Sequence, residues 1–87
     1  MSQEYSFTLT VPLTDYPIAE SLLEEAKRRF PHIRISRKTN RKACARFYLS
    51  FPFSTARPDL KFLEWFRERE KKDWDLFGPT YGRWGLA

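Results

Sequence analysis

The strictest alternation of hydrophobic and polar residues lies near the start of the chain. Every second residue from Tyr5 to Leu13 is hydrophobic, and the residues between them are Ser6, Thr8, Thr10 and Pro12. A period of two is typical of a β-strand with one buried and one exposed face. The pattern predicts a first strand over residues 5–13 whose odd-numbered side chains enter the core.

A helical spacing replaces this alternation after Asp15. Hydrophobic residues recur three or four positions apart from Ile18 to Phe30. Asp15 suits the N-cap of a helix, Pro17 suits its first turn, and Pro31 does not allow it to continue. These features predict a first helix that ends near Phe30.

Two more alternating segments follow. The first contains Ile33 and Ile35, and the second runs over residues 45–53. A polar stretch separates them, and its Asn40 tolerates the positive φ that tight turns require. The two segments predict a β-hairpin with its turn near residues 39–40.

The last third of the chain begins as a second helix and then becomes ambiguous. Ser54 or Thr55 can start that helix, with Pro58 early in it, and Gly78–Pro79 suits its end. The run over residues 67–73 is entirely charged, so it either projects into solvent as helix or frays before Trp74. Residues 79–87 then form either a short fourth strand or a flexible aromatic arm. The pattern does not decide between these two alternatives.

The order of elements predicts the fold class. A β-α-β-β-α(-β) order over residues 1–87 is that of a single α+β domain with a split, ferredoxin-like antiparallel sheet and two helices on one face. The other face of the sheet then carries the polar strand residues: Thr8, Thr10, Arg34, Ser36, Cys44, Arg46, Tyr48 and Ser50.

Charge changes the interpretation of that face. The net charge of +5 is unevenly distributed, since residues 1–25 hold five acids and no Lys or Arg, whereas residues 26–58 hold ten bases and no acid. Some of these bases complement a helix C-terminus or protect a sheet edge, but a surface that is only soluble normally mixes both signs. The block therefore predicts an anionic partner, with the hairpin from Arg34 to Arg46 at the centre of binding. The candidate residues are Lys27, Arg28, Arg34, Arg37, Lys38, Arg41, Lys42, Arg46 and Tyr48.

The residues needed for most catalytic sites are missing. His32 and Cys44 are the single histidine and the single cysteine, and all three glycines follow residue 77. This composition lacks the spacing of a zinc site and the Gly-rich loop that holds phosphates. We expect a non-enzymatic protein without metal or cofactor, for which a small-molecule ligand is not expected.

The same composition bears on location. A lone cysteine fits a reducing compartment, and the sequence contains neither a membrane-spanning apolar run nor a basic, apolar leader. We expect a cytoplasmic protein that does not associate with a membrane.

The third strand resembles part of a known RNA-binding motif. Residues Tyr48 to Phe51 resemble the second half of the ribonucleoprotein motif on the third strand of RNA-recognition-motif domains, in a matching β-α-β-β-α order. Where that family has two further stacking rings, this chain has Arg46 and Thr8, and the motif's glycine and leading base are also replaced. The match is limited to this segment, and we assign the chain to no family. On this resemblance, Tyr48 stacks a base beside Arg34 and Arg46.

Two functional hypotheses follow. The first is a module that binds nucleic acid, either RNA or single-stranded DNA, through the basic hairpin and the sheet face. The second is an inhibitor or adaptor, of the type that phages and mobile elements encode, that docks on a larger protein such as a nucleic-acid-processing defence complex. Trp and Tyr dominate the energetics of interfaces, although they also complete cores. The interface candidates are Trp74, Tyr81, Arg83 and Trp84.

Overall fold

A computed structural model describes residues 2–41 and 44–84, with side chains over residues 3–37 and 44–82. The predicted α+β class, with an antiparallel sheet and two helices, is confirmed. A short 3-10 turn over Leu13–Asp15 joins the first strand to the first helix. The elements are β1 (Ser2–Pro12), α1 (Tyr16–Arg29), β2 (Arg34–Arg41), β3 (Cys44–Pro52), α2 (Pro58–Arg67) and β4 (Asp75–Trp84).

The four strands form one sheet in the order β2-β3-β1-β4, and every neighbouring pair is antiparallel. In the centre of the sheet, Phe7 lies opposite Leu49 and Leu9 lies opposite Phe47. Directly opposed residues share a face, so the odd-numbered residues of β1 and β3 form one apolar surface. Both helices pack against that surface.

The core lies between this surface and the helices. Phe7, Leu9 and Val11 are buried as predicted. The ring of Phe62 on α2 lies at the centre, with ring centroids 5.3 Å from Phe7, 5.6 Å from Phe51 and 5.7 Å from Phe30. The helices contribute Ala19, Leu23, Ala26, Phe62, Trp65 and Phe66 to the same core.

Two boundary predictions are wrong. Leu13 is exposed rather than part of the first strand, because the chain turns at Leu13–Asp15 to enter α1. The hairpin turn does not lie at residues 39–40, since β2 continues to Arg41, which pairs with Cys44 after a register shift. Residues 42–43 lie outside the described residues.

The second helix begins at Pro58 rather than at Ser54 or Thr55, and it ends before the charged run, in agreement with the alternative that this run frays before Trp74. It ends at Arg67 because the backbone N–H groups of Arg69 and Glu70 both donate to the carbonyl of Phe66, which closes the last turn. The charged run after it has no apolar face to hold a helix on the sheet. The chain turns instead, and Trp74 packs against Phe66 with ring centroids 6.1 Å apart.

Residues Asp75–Trp84 form strand β4, which begins well before the fourth strand that the sequence suggested. A β-bulge at Gly78 and Pro79 shifts its register, so that Phe77 lies opposite Thr8 and Thr80 lies opposite Ser6. Gly78 has a φ of 128°, and a Cβ there would lie 2.5 Å from the carbonyl oxygen of Ser6. Only glycine fits this position. Residues 85–87 lie outside the described residues.

Candidate functional site on the open sheet face

We call the sheet surface opposite the helices the open face. Within the described part of the chain, both helices pack on the other side and leave this face accessible. The register places its side chains in rows that cross the strands. One row is Arg34, Ser50, Ser6 and Thr80, the next is Ser36, Tyr48, Thr8 and Phe77, and the third contains Arg46, Thr10 and Asp75.

A groove of about 420 Å³ lies in this face. The rings of Tyr48 and Phe77 and the hydroxyl groups of the serines and threonines between them line it, and Arg34 and Glu4 line it as well. Its lining thus combines aromatic rings, neutral hydrogen-bonding groups and one charge of each sign. Such a mixture suits a flat polar ligand that has both a π surface and hydrogen-bonding edges.

The two rings are the most informative part of the groove. Phe77 is 67% exposed, whereas Tyr48 is partly buried. Both flank Thr8 in the register, so their backbones are two strand spacings, about 10 Å, apart. The sequence hypothesis missed Phe77, because the predicted second helix extended past it. The alternation of Trp74 and Leu76 with Asp75 and Phe77 was the signal for a strand.

The structure divides the predicted basic block between two layers. Arg34 and Arg46 are exposed on the open face. Lys27 and Arg28 are exposed on α1, in the helical layer. Lys38 pairs with Arg46 in the register, but its side chain, like those of Arg41 and Lys42, lies outside the described residues.

Arg37 belongs to the helical layer as well. It lies opposite the core residue Phe47 on β3, its Nη1 is 2.7 Å from Oε2 of Glu20, and the same nitrogen donates to the hydroxyl of Tyr16 at 3.4 Å. The hydrogen bond with Tyr16 and the charge of Glu20 raise the pKa of the Arg37 guanidinium. Arg37 therefore ties β2 to α1, and the structure does not place it with Arg34 and Arg46.

The interface candidates also fall into different places. Trp74 is only 6% exposed, and its Nε1 donates to Oδ2 of Asp15 at 2.9 Å, so it completes the core. Tyr81 is half exposed and lies on the helical side, where its ring centroid is 5.0 Å from that of Tyr5 and 6.0 Å from that of Phe53. The side chains of Arg83 and Trp84 lie outside the described residues.

Two arginines contact buried carboxylates. Before α2, Nε and Nη2 of Arg57 donate to the two carboxylate oxygens of Asp59 at 3.0 and 2.7 Å, and the Arg57 guanidinium lies 3.9 Å from the ring centroid of Tyr5. The hydrogen bonds to Asp59 raise the pKa of Arg57. On the open face, Nη1 of Arg34 lies 3.8 Å from Oε1 of Glu4, whose side chain is 10% exposed. That distance is too long for a hydrogen bond.

Comparison with known proteins adds no further information about this surface. No family model, no curated protein and no solved structure matches the chain. Over residues 2–41 and 44–84, no helix is both long and apolar enough to cross a membrane. Among the same residues, no three His, Cys, Asp or Glu side chains cluster as metal ligands do. The geometry of the open face is therefore the basis for inferring a function.

Proposed function

We propose that this protein is a non-enzymatic binding module that holds single-stranded nucleic acid, either RNA or DNA, on its open sheet face. The observation that carries this proposal is the exposed ring of Phe77, on the same face as Tyr48, Arg34 and Arg46. Two rings on a sheet offer stacking surfaces for unpaired bases, and arginines beside them attract the phosphates.

Phe77 is the most exposed of the large hydrophobic residues in the described part of the chain. A phenylalanine that is 67% exposed gains little from the hydrophobic effect, because most of its surface remains in water. A stacked base would cover this ring, and base–aromatic stacking contributes roughly 1 to 3 kcal/mol per base. Bases in a duplex are already stacked on one another, so a flat face with exposed rings favours single strands.

The charge of the open face supports the same partner. Arg46 is exposed in the row beside Tyr48, Lys38 lies opposite it in the register, and the chain as a whole carries a net charge of +5. Phosphates beside these groups would release counterions, so binding should weaken as salt rises. The bases lie on β2 and β3, whereas the acids of this face, Glu4 and Asp75, lie on β1 and β4. The β2–β3 side is therefore the part of the open face that suits a polyanion, and the rings distinguish the face from a surface that is only basic.

Single alanine variants test the proposal directly. In fluorescence anisotropy with labelled single-stranded RNA and DNA, Tyr48→Ala and Phe77→Ala should each weaken binding by roughly 1 to 3 kcal/mol, or about 5- to 150-fold. The salt dependence should stay the same, since stacking releases no counterions. Phe53→Ala and Tyr81→Ala are matched controls, because these rings are also accessible to solvent, at 49% and 50%, but lie on the helical side.

Two results would contradict the proposal. One is a dissociation constant above about 100 μM at low salt, because such binding is weaker than ordinary non-specific association. The other is an equal loss of affinity in the control variants, which would show that the open face has no special role.

The cluster of Tyr5, Phe53 and Tyr81 favours a second candidate, in which the protein is an inhibitor or adaptor that docks on a larger protein. The three rings lie within 6.1 Å of one another, and Phe53 and Tyr81 are half exposed. Accessible aromatic clusters are typical anchors of protein interfaces. A pull-down from cell lysate should then retain a partner after nuclease treatment and lose it with Tyr81→Ala but not with Phe77→Ala.

We also infer that the sheet has the ferredoxin-like topology. The order β2-β3-β1-β4, with antiparallel neighbours and one helix after each of β1 and β3, supports this assignment. In that topology the two helices cover one face, which leaves the other for a ligand.

A further inference from the structure

Glu4 places a carboxylate in the groove. A carboxylate is unexpected there, because it repels the phosphates of a nucleic acid. Glu4 is the one acidic side chain among the described residues that line the groove, and nine-tenths of it is buried. Its contact with Arg34, at 3.8 Å, is longer than a hydrogen bond. A carboxylate with two oxygens accepts several hydrogen bonds, so Glu4 retains acceptor capacity inside the groove.

Buried carboxylates usually have hydrogen-bond partners, because burial removes the water that otherwise solvates them. Space is available beside Glu4 and Arg34, since both residues line the groove of about 420 Å³. A planar ligand in this space would lie beside the Glu4 carboxylate and in the same groove as Tyr48 and Phe77.

We propose that Glu4 and Arg34 recognise guanine in the bound strand, which rests on the proposed function of the open face. The Watson–Crick edge of guanine carries two adjacent donors, N1–H and the 2-amino group, followed by the O6 acceptor. The two oxygens of Glu4 accept from those donors, and the Arg34 guanidinium beside them donates to O6. The pair thus supplies two acceptors and one donor, complementary to the whole edge.

The other common bases do not fit this arrangement. Adenine and cytosine place one exocyclic amino group next to a ring nitrogen that accepts, and uracil places its single N–H between two carbonyl groups. In each case a lone pair of the base would face a carboxylate oxygen. The discrimination therefore comes from repulsion as well as from attraction.

The test compares four RNA 8-mers: all-uridine, and all-uridine with one central guanine, adenine or cytosine. The wild-type protein should bind the guanine-containing strand at least about tenfold more tightly than the other three, as expected for a bidentate base contact. Glu4→Gln keeps the shape but replaces one acceptor by a donor. The guanine preference should disappear in this variant, so that it binds all four strands with similar affinity.

A second measurement requires no variant. The base of inosine, hypoxanthine, is guanine without the 2-amino group, so an inosine-containing strand should lose about half of the preference, on a logarithmic scale, with the wild-type protein. A preference for adenine or cytosine, equal binding of all four strands, or a guanine preference that survives Glu4→Gln would overturn the role of Glu4. If none of the strands binds, the proposed function itself fails, so the two failures are distinguishable.

Discussion

The two arginine–carboxylate pairs of this protein show how similar burial can accompany different roles. Asp59 and Glu4 are both largely removed from water, with side-chain exposures of 0% and 10%. Asp59 receives two hydrogen bonds from Arg57, whereas Glu4 lies 3.8 Å from Arg34. In the first pair, which we call the closed pair, both carboxylate oxygens already accept a hydrogen bond from within the chain. The second, which we call the open pair, has no hydrogen bond between its members.

The difference arises from the elements that carry the residues. Arg57 adopts a left-handed conformation, with φ of 54°, immediately before α2, and Asp59 is two residues away. Arg34 and Glu4 lie on β2 and β1, which are separated by β3, so two long side chains must span about 10 Å between their backbones. Local geometry holds the first pair together, while the second meets only at the tips of its side chains.

Removal of Asp59 should have the largest effect. Asp59→Ala removes both hydrogen bonds to Arg57 from a fully buried position, and it should lower the free energy of unfolding by about 3 kcal/mol. Urea denaturation followed by tryptophan fluorescence measures this loss. Asp59→Asn, which retains one acceptor, should lose less. An unchanged midpoint in the alanine variant would show that the closed pair does not stabilise the fold.

An arginine on the open face should affect binding and leave folding nearly unaltered. Arg46→Ala should weaken binding to every single-stranded sequence alike and lower the log-log salt slope by about 0.7 for one lost phosphate contact. Anisotropy titrations at several salt concentrations measure the slope. Arg28→Ala, at an exposed position on α1, is the matched control and should leave the slope unchanged. Equal slopes in both variants would argue against phosphate contact at Arg46.

The open pair should matter little to stability. Glu4→Gln should change the free energy of unfolding by less than about 1 kcal/mol, because Arg34 is mostly exposed and the pair lacks a hydrogen bond. The same denaturation experiment used for Asp59 gives this value. If Glu4→Gln lowered the free energy of unfolding as much as Asp59→Ala, Glu4 would stabilise the fold in the same way as Asp59, and the two pairs would not differ in role.

The smallest effect is expected at Arg37. Its guanidinium contacts Glu20 and Tyr16 on the helical side, so Arg37→Ala should leave both affinity for single strands and the salt slope unchanged. If Arg37→Ala lost as much affinity for single strands as Arg46→Ala, the binding surface would have to include the helical side of β2.

The alternation of hydrophobic residues was sufficient to predict most of the fold. It identified β1 and β3 and their buried faces, because a half-buried strand requires a period of two. It left the structure after Arg67 undecided, because a charged run is compatible both with an exposed helix and with a turn. The buried Trp74 decides between them, and its hydrogen bond to Asp15 joins positions that are far apart in the sequence.

The candidate site was predicted less completely. Tyr48, Arg34 and Arg46 were placed on the correct face by their even positions in the alternation. The same rule puts Arg37 on the opposite face, but the concentration of bases in the hairpin outweighed it. Glu4 was overlooked because it precedes the alternating run, and the contact between its side chain and that of Arg34 across β3 has no signal in the sequence pattern.

The bulge at Gly78 and Pro79 decides which side chains of β4 share a face. It places Phe77 and Thr80 on one face and sends Tyr81 to the other. If a strand of the same length paired without the bulge, every residue after Gly78 would move by one position and turn over. Tyr81 would then point towards the groove and leave Tyr5 and Phe53. Deletion of one of the two bulge residues would instead restore regular pairing and keep Thr80 and Tyr81 opposite Ser6 and Tyr5.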